Sequence, residues 1–120
     1  MSNLELIRAN IIDQLWEKHS SGQLTWKLRE NENSYEASAG EFSFHIDRKV
    51  VAGKAKYRIW IFDESGEIID NYDPATISEY NPDVAEFADY NALIQRLYNL
   101  VKEGLTLEKL EPALAKLRSL

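Results

Sequence analysis

Ser43, His45 and Asp47 bring the three residue types of a nucleophile–base–orienter triad into one short stretch of chain. Acyl transfer by such a set needs the hydroxyl, imidazole and carboxylate in hydrogen-bond contact. On a strand these alternate residues share one face, but neighbours on that face stand about 7 Å apart, beyond hydrogen-bond reach. Strand alternation therefore accounts for the trio without catalysis. His45 and Asp47 with a group from a neighbouring strand would be a poor zinc site, because one His among scattered carboxylates has none of the usual ligand spacings. Asp63-Glu64-Ser65-Gly66-Glu67, with Asp70 and Asp73, has the composition of a calcium loop. Its glycine sits fourth and no glutamate closes a twelve-residue loop, so a hairpin turn is the plainer reading. GxGxxG, GxxxxGK[ST], GxSxG and HExxH do not occur, which removes the phosphate cradles, the nucleophile elbow and the zincin helix. The expectation is a chain with no catalytic residues, no metal and no cofactor.

Contact surfaces are a better prospect than chemistry. If Tyr57, Ile59 and Ile61 face a core, then Arg58, Trp60 and Phe62 point the other way. Lys27, Arg29 and His45 are candidates for that same face. Aromatics exposed among cations on a sheet make a contact patch, unless a helix or the crossover after the sheet covers them. The charge is also unevenly placed. Residues 1–60 hold 9 Lys/Arg and 8 Asp/Glu, a net of +1, whereas residues 61–120 hold 5 and 12, a net of −7. Arg48, Lys49, Lys54, Lys56 and Arg58 run without an intervening acid. Asp63, Glu64, Glu67, Asp70, Asp73, Glu79, Asp83, Glu86 and Asp89 then run without a base. Most such runs are solvated faces, though adjacent opposite blocks can fold beside each other or offer an acidic face to a basic partner. The candidate partner-binding set is Arg58, Trp60, Phe62, Asp63, Glu64, Glu67, Asp70 and Asp73. A further candidate is the stripe Leu107, Leu110, Leu114, Leu117 and Leu120. It has heptad-like spacing and suits either docking on the chain's own core or pairing with a twin in a dimer.

These residues must be positioned by a chain of 120 residues, 44% hydrophobic and 11% aromatic, which suits a single domain over 1–120. The absence of cysteine removes disulfides and thiol chemistry. A net charge of −6 argues against nucleic acid as a partner. The absence of an apolar run of about 18 residues argues against a membrane span. The first residues show no secretory signal, so a cytoplasmic protein is expected.

The elements follow from periodicity. Residues 3–20 read as an amphipathic helix with Leu4, Ile7, Ile11, Ile12, Leu15 and Trp16 on its stripe. Ser2 and Glu5 form a capping-box signature, and Gly22 is a natural stop. Strands are expected over 23–30, 35–39, 42–47 and 57–62, and a fifth over 67–71. Between them lie a polar turn at 30–34, Gly40, a loop over 48–54 and a tight turn at 63–66. Residues 73–83 form an irregular crossover, and Asn81-Pro82 can cap a first turn. A helix then runs to about 103, strongest from Asp89, with Phe87, Tyr90, Leu93, Ile94, Leu97, Tyr98 and Val101 on its stripe. Gly104 ends it. Thr106 caps a last helix that kinks or restarts at Pro112.

The pattern Gly22-x-Leu24-x-Trp26, then Tyr57-x-Ile59-x-Ile61-x-Asp63 with Gly66, then Leu97-Tyr98 with Leu100, Val101 and Lys102 resembles small bacterial α+β proteins of unknown function. The resemblance spans most of the chain. It implies a stand-alone protein or accessory module and brings no catalytic motif. The fold expected is α+β, an antiparallel meander of four or five strands with one N-terminal and two C-terminal helices. The function expected is a non-catalytic protein-interaction or regulatory module, whose partner is another protein or a second copy of the chain in a homodimer. The alternative is a small-molecule or ion-binding protein with a pocket between the sheet and the 73–88 crossover, lined by Tyr57, Tyr72, Tyr80 and Tyr90.

Overall fold

A computed structural model describes residues 2–29, 33–80 and 86–120. Helix α1 (Asn3–Ser20) leads into an antiparallel sheet of β1 (Trp26–Leu28), β2 (Ser34–Ala39), β3 (Phe42–Val51), β4 (Lys54–Phe62) and β5 (Ile68–Tyr72). The strands lie in chain order, as short connections require. A 3-10 turn (Pro74–Thr76) follows, and then α2 (Tyr90–Arg118). The polar stretch expected at 30–34 and the Asn81-Pro82 cap fall wholly or partly outside the described residues.

Local chemistry accounts for the element ends. The Ser2 hydroxyl accepts the Glu5 amide at 3.1 Å, which is half of a capping box. Glu5 does not return the bond. Its carboxylate instead accepts the Ser78 amide at 2.6 Å and the Ser78 hydroxyl at 2.9 Å, tying the start of α1 to the segment after the sheet. The other end of α1 closes through the Gln23 amide on the Lys18 carbonyl at 2.9 Å, with Gly22 at φ +74°. Asp63 organises the β4–β5 turn, its Oδ1 accepting the Ser65 and Glu67 amides, both at 3.0 Å.

Two expectations are corrected. Residues 48–54 are not a loop. β3 and β4 continue to a two-residue turn at Ala52 (φ 52°) and Gly53 (φ 78°), the paired left-handed conformation that matches strand twist. The chain also has one C-terminal helix, not two. α2 runs through Gly104 and Pro112 for 29 residues, about 43 Å of helix. Gly104 carries no positive φ, and the Thr106 hydroxyl bonds back to the Lys102 carbonyl at 2.8 Å instead of capping a new helix. Gly and Pro disfavour a helix interior, but the Leu, Lys, Glu and Ala around them are strong helix formers.

Both helices pack on the same face of the sheet. The core joins Ala9, Ile12 and Leu15 of α1 to Tyr35, Ala37, Ile46, Tyr57, Ile59, Ile61 and Tyr72 of the sheet, and to Leu93, Ile94, Leu97, Tyr98 and Val101 of α2. The aromatic register is close: Tyr98 lies 5.1 Å from Tyr35 and 5.6 Å from Tyr57, ring centre to ring centre. Leu4 and Ile7, expected on the buried stripe of α1, are instead exposed. The buried line of α1 is Ala9, Ile12 and Leu15, one step round the helix. No helix among the described residues is long and apolar enough to cross a membrane.

Candidate functional site

The sheet's second face carries no helix among the described residues. Strand register sets its rows. Lys27, Glu36, His45, Trp60 and Asn71 stand opposite one another across β1 to β5. Ser34, Asp47 and Arg58 form the next row, and Ser38, Ser43 and Phe62 the row on the other side. Arg58, Trp60 and Phe62 therefore share this face with Lys27 and His45, as strand alternation requires. Trp60 and Phe62 stack with ring centres 6.4 Å apart, and Phe62 lies 4.3 Å from the His45 ring. The side chains cover one another, so both aromatics are half-buried and His45 is buried without any helix above them.

His45 Nε2 lies 3.1 Å from the Glu36 carboxylate and 3.3 Å from the Ser43 hydroxyl. The Ser43 contact corrects the expectation that strand neighbours stand out of reach: the imidazole leans along the strand and closes the gap. It is still not a triad. Serine activation needs the hydroxyl on one ring nitrogen and the carboxylate on the other. Here both meet the same nitrogen, while Nδ1 is buried with no hydrogen-bond partner among the described residues. Glu36 and Ser43 share that one nitrogen and no carboxylate among the described residues orients the ring through the other, so the relay from carboxylate through imidazole to hydroxyl is not built. Burial holds His45 below the ordinary imidazole value, with Arg29 acting the same way against Glu36 and Asp47. Asp47, the third residue of the supposed triad, lies opposite Arg58.

The face is polarised along its strands. Lys49, Lys54, Lys56 and Arg58 occupy the β3–β4 hairpin end. They make no ion pair among the described residues. At the other end, Glu41, Asp63 and Glu64 surround an open cleft of about 500 Å³, with Arg29, Glu36, Ser43, His45 and Phe62 along it. A second cleft of about 270 Å³ lies beside Trp60, between Asp47, Lys49, Lys56, Arg58 and Asp73. No group of three or more His, Asp or Glu side chains among the described residues is placed to hold a metal ion.

The eight residues of the candidate set do not form one surface. Arg58, Trp60, Phe62, Asp63 and Glu64 share the open face or its rim. Arg58 donates to the Asn71 side-chain oxygen at 2.6 Å. Glu67 is exposed in the β4–β5 turn. Asp73 caps the 3-10 turn, accepting the Ala75 amide at 2.8 Å. Asp70 lies opposite Ile61, toward the helices, and holds Arg8 of α1 through two bonds of 2.7 and 2.8 Å. That guanidinium keeps Asp70 below the ordinary carboxylate range. The four tyrosines expected around a crossover pocket are packing residues here: Tyr57, Tyr72 and Tyr90 are buried, and Tyr80 meets Tyr90 edge-on at 4.8 Å.

Two apolar surfaces stand elsewhere. One is an open groove of about 500 Å³ between α1 and the sheet, lined by Ile7, Ile11, Leu15, Leu24, Ala39 and Phe44. The alternation and helical stripes gave no sign of it, because it exists only where the two elements diverge. The other is the second half of α2. Val101 is its last buried residue, and beyond the half-buried Leu105 every side chain is exposed. The molecule measures 59 × 35 × 33 Å, with a radius of gyration of 15.8 Å. A compact chain of this length would have about 13.6 Å, so the excess matches a helix projecting from the body. On it Leu107, Leu110, Leu114, Leu117 and Leu120 are 48, 57, 47, 67 and 93% exposed.

Comparison with known protein families, with curated proteins and with solved structures gives no match for this chain.

Proposed function

We propose that the protein is a non-catalytic, cytoplasmic protein-interaction module that engages its partner through the projecting half of α2. The single observation that carries this reading is the exposed stripe Leu107, Leu110, Leu114, Leu117 and Leu120 on a helix detached from its own core. Isolated helices shorter than about 12–15 residues are marginal in water. This one carries Gly104 and Pro112, which cost roughly 1 and 3 kcal/mol in a helix interior. A projecting segment with those defects gains its stability from a surface that covers the leucines. The Ser43–His45–Glu36 geometry, with two groups on one ring nitrogen, supports the non-catalytic part of the reading. The net charge of −6 supports a protein rather than a nucleic acid as the partner. The open face around Arg58, Trp60 and Phe62, with Asp63 and Glu64 on its rim, is the secondary contact surface.

The test is capture of partners from native cells on the tagged chain, beside a variant with Leu110→Lys and Leu114→Lys. Both leucines are exposed, so the body of the variant folds normally. A protein, or untagged copies of the same chain, held near stoichiometry by the wild type and lost from the variant is the expected result. Equal recovery on both would move the contact surface away from α2.

A further inference from the structure

We infer that the partner of the projecting helix is a second copy of this chain, paired antiparallel through residues 103–120. The inference rests on the reading of the leucine stripe as a contact surface and adds its occupant, direction and register.

Leu107, Leu110, Leu114 and Leu117 are symmetric about position 112. Setting two copies head to tail around that point places Leu107 level with Leu117 of the partner subunit, and Leu110 level with Leu114 of the partner subunit. Four of the five leucines on each helix are thereby paired, and Leu120 comes level with Gly104 of the partner subunit. One patch serves both copies, as a two-fold interface demands. The polar residues choose the direction. Going round the helix at 3.6 residues per turn, Glu103 falls on the leucine stripe at its root and Arg118 on its border at the tip. Head-to-tail packing brings Glu103 within about 5 Å, along the axis, of Arg118 of the partner subunit. Parallel packing would set Glu103 against Glu103 of the partner subunit inside an apolar seam, where like charges are costly. Pro112 falls on the side of the helix away from the stripe, so its ring stays out of the contact. The overlap is about 24 Å of helix. This is a short contact of the weak, transient kind, so the association is sought up to high micromolar concentration.

The chain has no cysteine, so single-cysteine variants read the register without background. The experiment is sedimentation of the full chain from about 1 to 200 µM, with oxidative cross-linking of Ala113→Cys and Leu120→Cys. Ala113 borders the stripe beside the two-fold axis, its partner copy only about 3 Å away along the helices. The two Leu120 positions stand about 24 Å apart. The expected result is a concentration-dependent dimer, a covalent dimer from Ala113→Cys and none from Leu120→Cys. Leu110→Lys with Leu114→Lys weakens association by roughly tenfold or more per leucine, with unchanged tryptophan fluorescence of the body. Cross-linking of Leu120→Cys in preference to Ala113→Cys overturns the antiparallel direction. A dimer that survives the lysine substitutions, or one lost on them in which neither cysteine cross-links, overturns the pairing. A chain monomeric at 200 µM overturns the second copy as occupant. If that monomer still captures another protein through the leucines, the contact-surface reading stands; if it captures nothing, both fall.

Discussion

Gly104→Ala tests the continuity of α2 by the sign of its effect. In the structure Gly104 lies inside a continuous helix, and a Cβ added there meets no atom within 4 Å. The substitution then removes only the helix penalty of glycine and the extra freedom of the unfolded chain, together about 1 kcal/mol in favour of the fold. Val101 is 3% exposed and Leu105 packs partly on the core, so the turn holding Gly104 unfolds with the body and its gain registers in global stability. For a chain of this size the melting midpoint rises by roughly 3–6 °C. Were Gly104 a helix stop in the left-handed region, alanine would instead cost about 1–2 kcal/mol. Gly22→Ala is the control of opposite sign, because Gly22 does sit at φ +74° beyond α1. Urea unfolding followed by circular dichroism resolves a gap of this size. A lower midpoint for Gly104→Ala with an unchanged denaturant slope would refute the continuous helix.

Three further outcomes follow from the packing and the charges. Trp26 donates its indole N–H to His19 Nδ1 at 3.1 Å, and burial holds both His19 and His45 below the ordinary imidazole value of 6.5. As pH falls the unfolded chain takes up these protons first, so stability is complete above about 6.5 and is lost as pH drops through the lower folded values. The urea midpoint at pH 5.5 should lie below that at 7.5, and equal midpoints would count against this account. Asp70→Asn breaks the two-bond pair with Arg8 and should cost about 1 kcal/mol at pH 7. The lowered Asp70 contributes above its unfolded value of 3.8 and its share vanishes as pH falls through the folded one; a loss of the same size at pH 2 would show that the effect is not ionic. Ile59→Ala, at a fully buried position of a central strand, should cost about 2–5 kcal/mol, whereas Ile69→Ala, 53% exposed, should stay within about 0.5 kcal/mol on chemical denaturation.

Much of the fold was legible because local rules sufficed. The 3.6-residue stripe and Ser2 located α1 to the residue, and Asp63 with Gly66 marked the β4–β5 turn through its own side-chain bonds. The β3–β4 extension was missed because Arg48, Lys49 and Val50 break the alternation seen from Phe42 to Asp47. Their pairing is held by the Ala52-Gly53 turn, and alanine at φ 52° is not a turn signal in sequence. Gly104 was misread because glycine serves equally as a stop and as a weak interior residue, and only the backbone conformation separates the two. The open face was legible in part. Alternation put Arg58, Trp60 and Phe62 together, but Glu36 reached His45 only through the register of β2 on β3, and Asp70 was drawn to the other side by Arg8, far away in the chain.

The sequence by itself determined the element types, the antiparallel meander and the heptad-like leucines, since each depends on contacts a few residues apart. Tertiary structure alone decided what those elements face. Both helices gather on one side of the sheet, which leaves the His45–Trp60–Phe62 face open. α2 finishes its contact with the core at Val101 and Leu105, and beyond that point nothing among the described residues covers the last leucines. A periodic pattern states that a helix has an apolar side; whether that side meets its own chain or another depends on where the sheet ends, which is a property of the packed molecule.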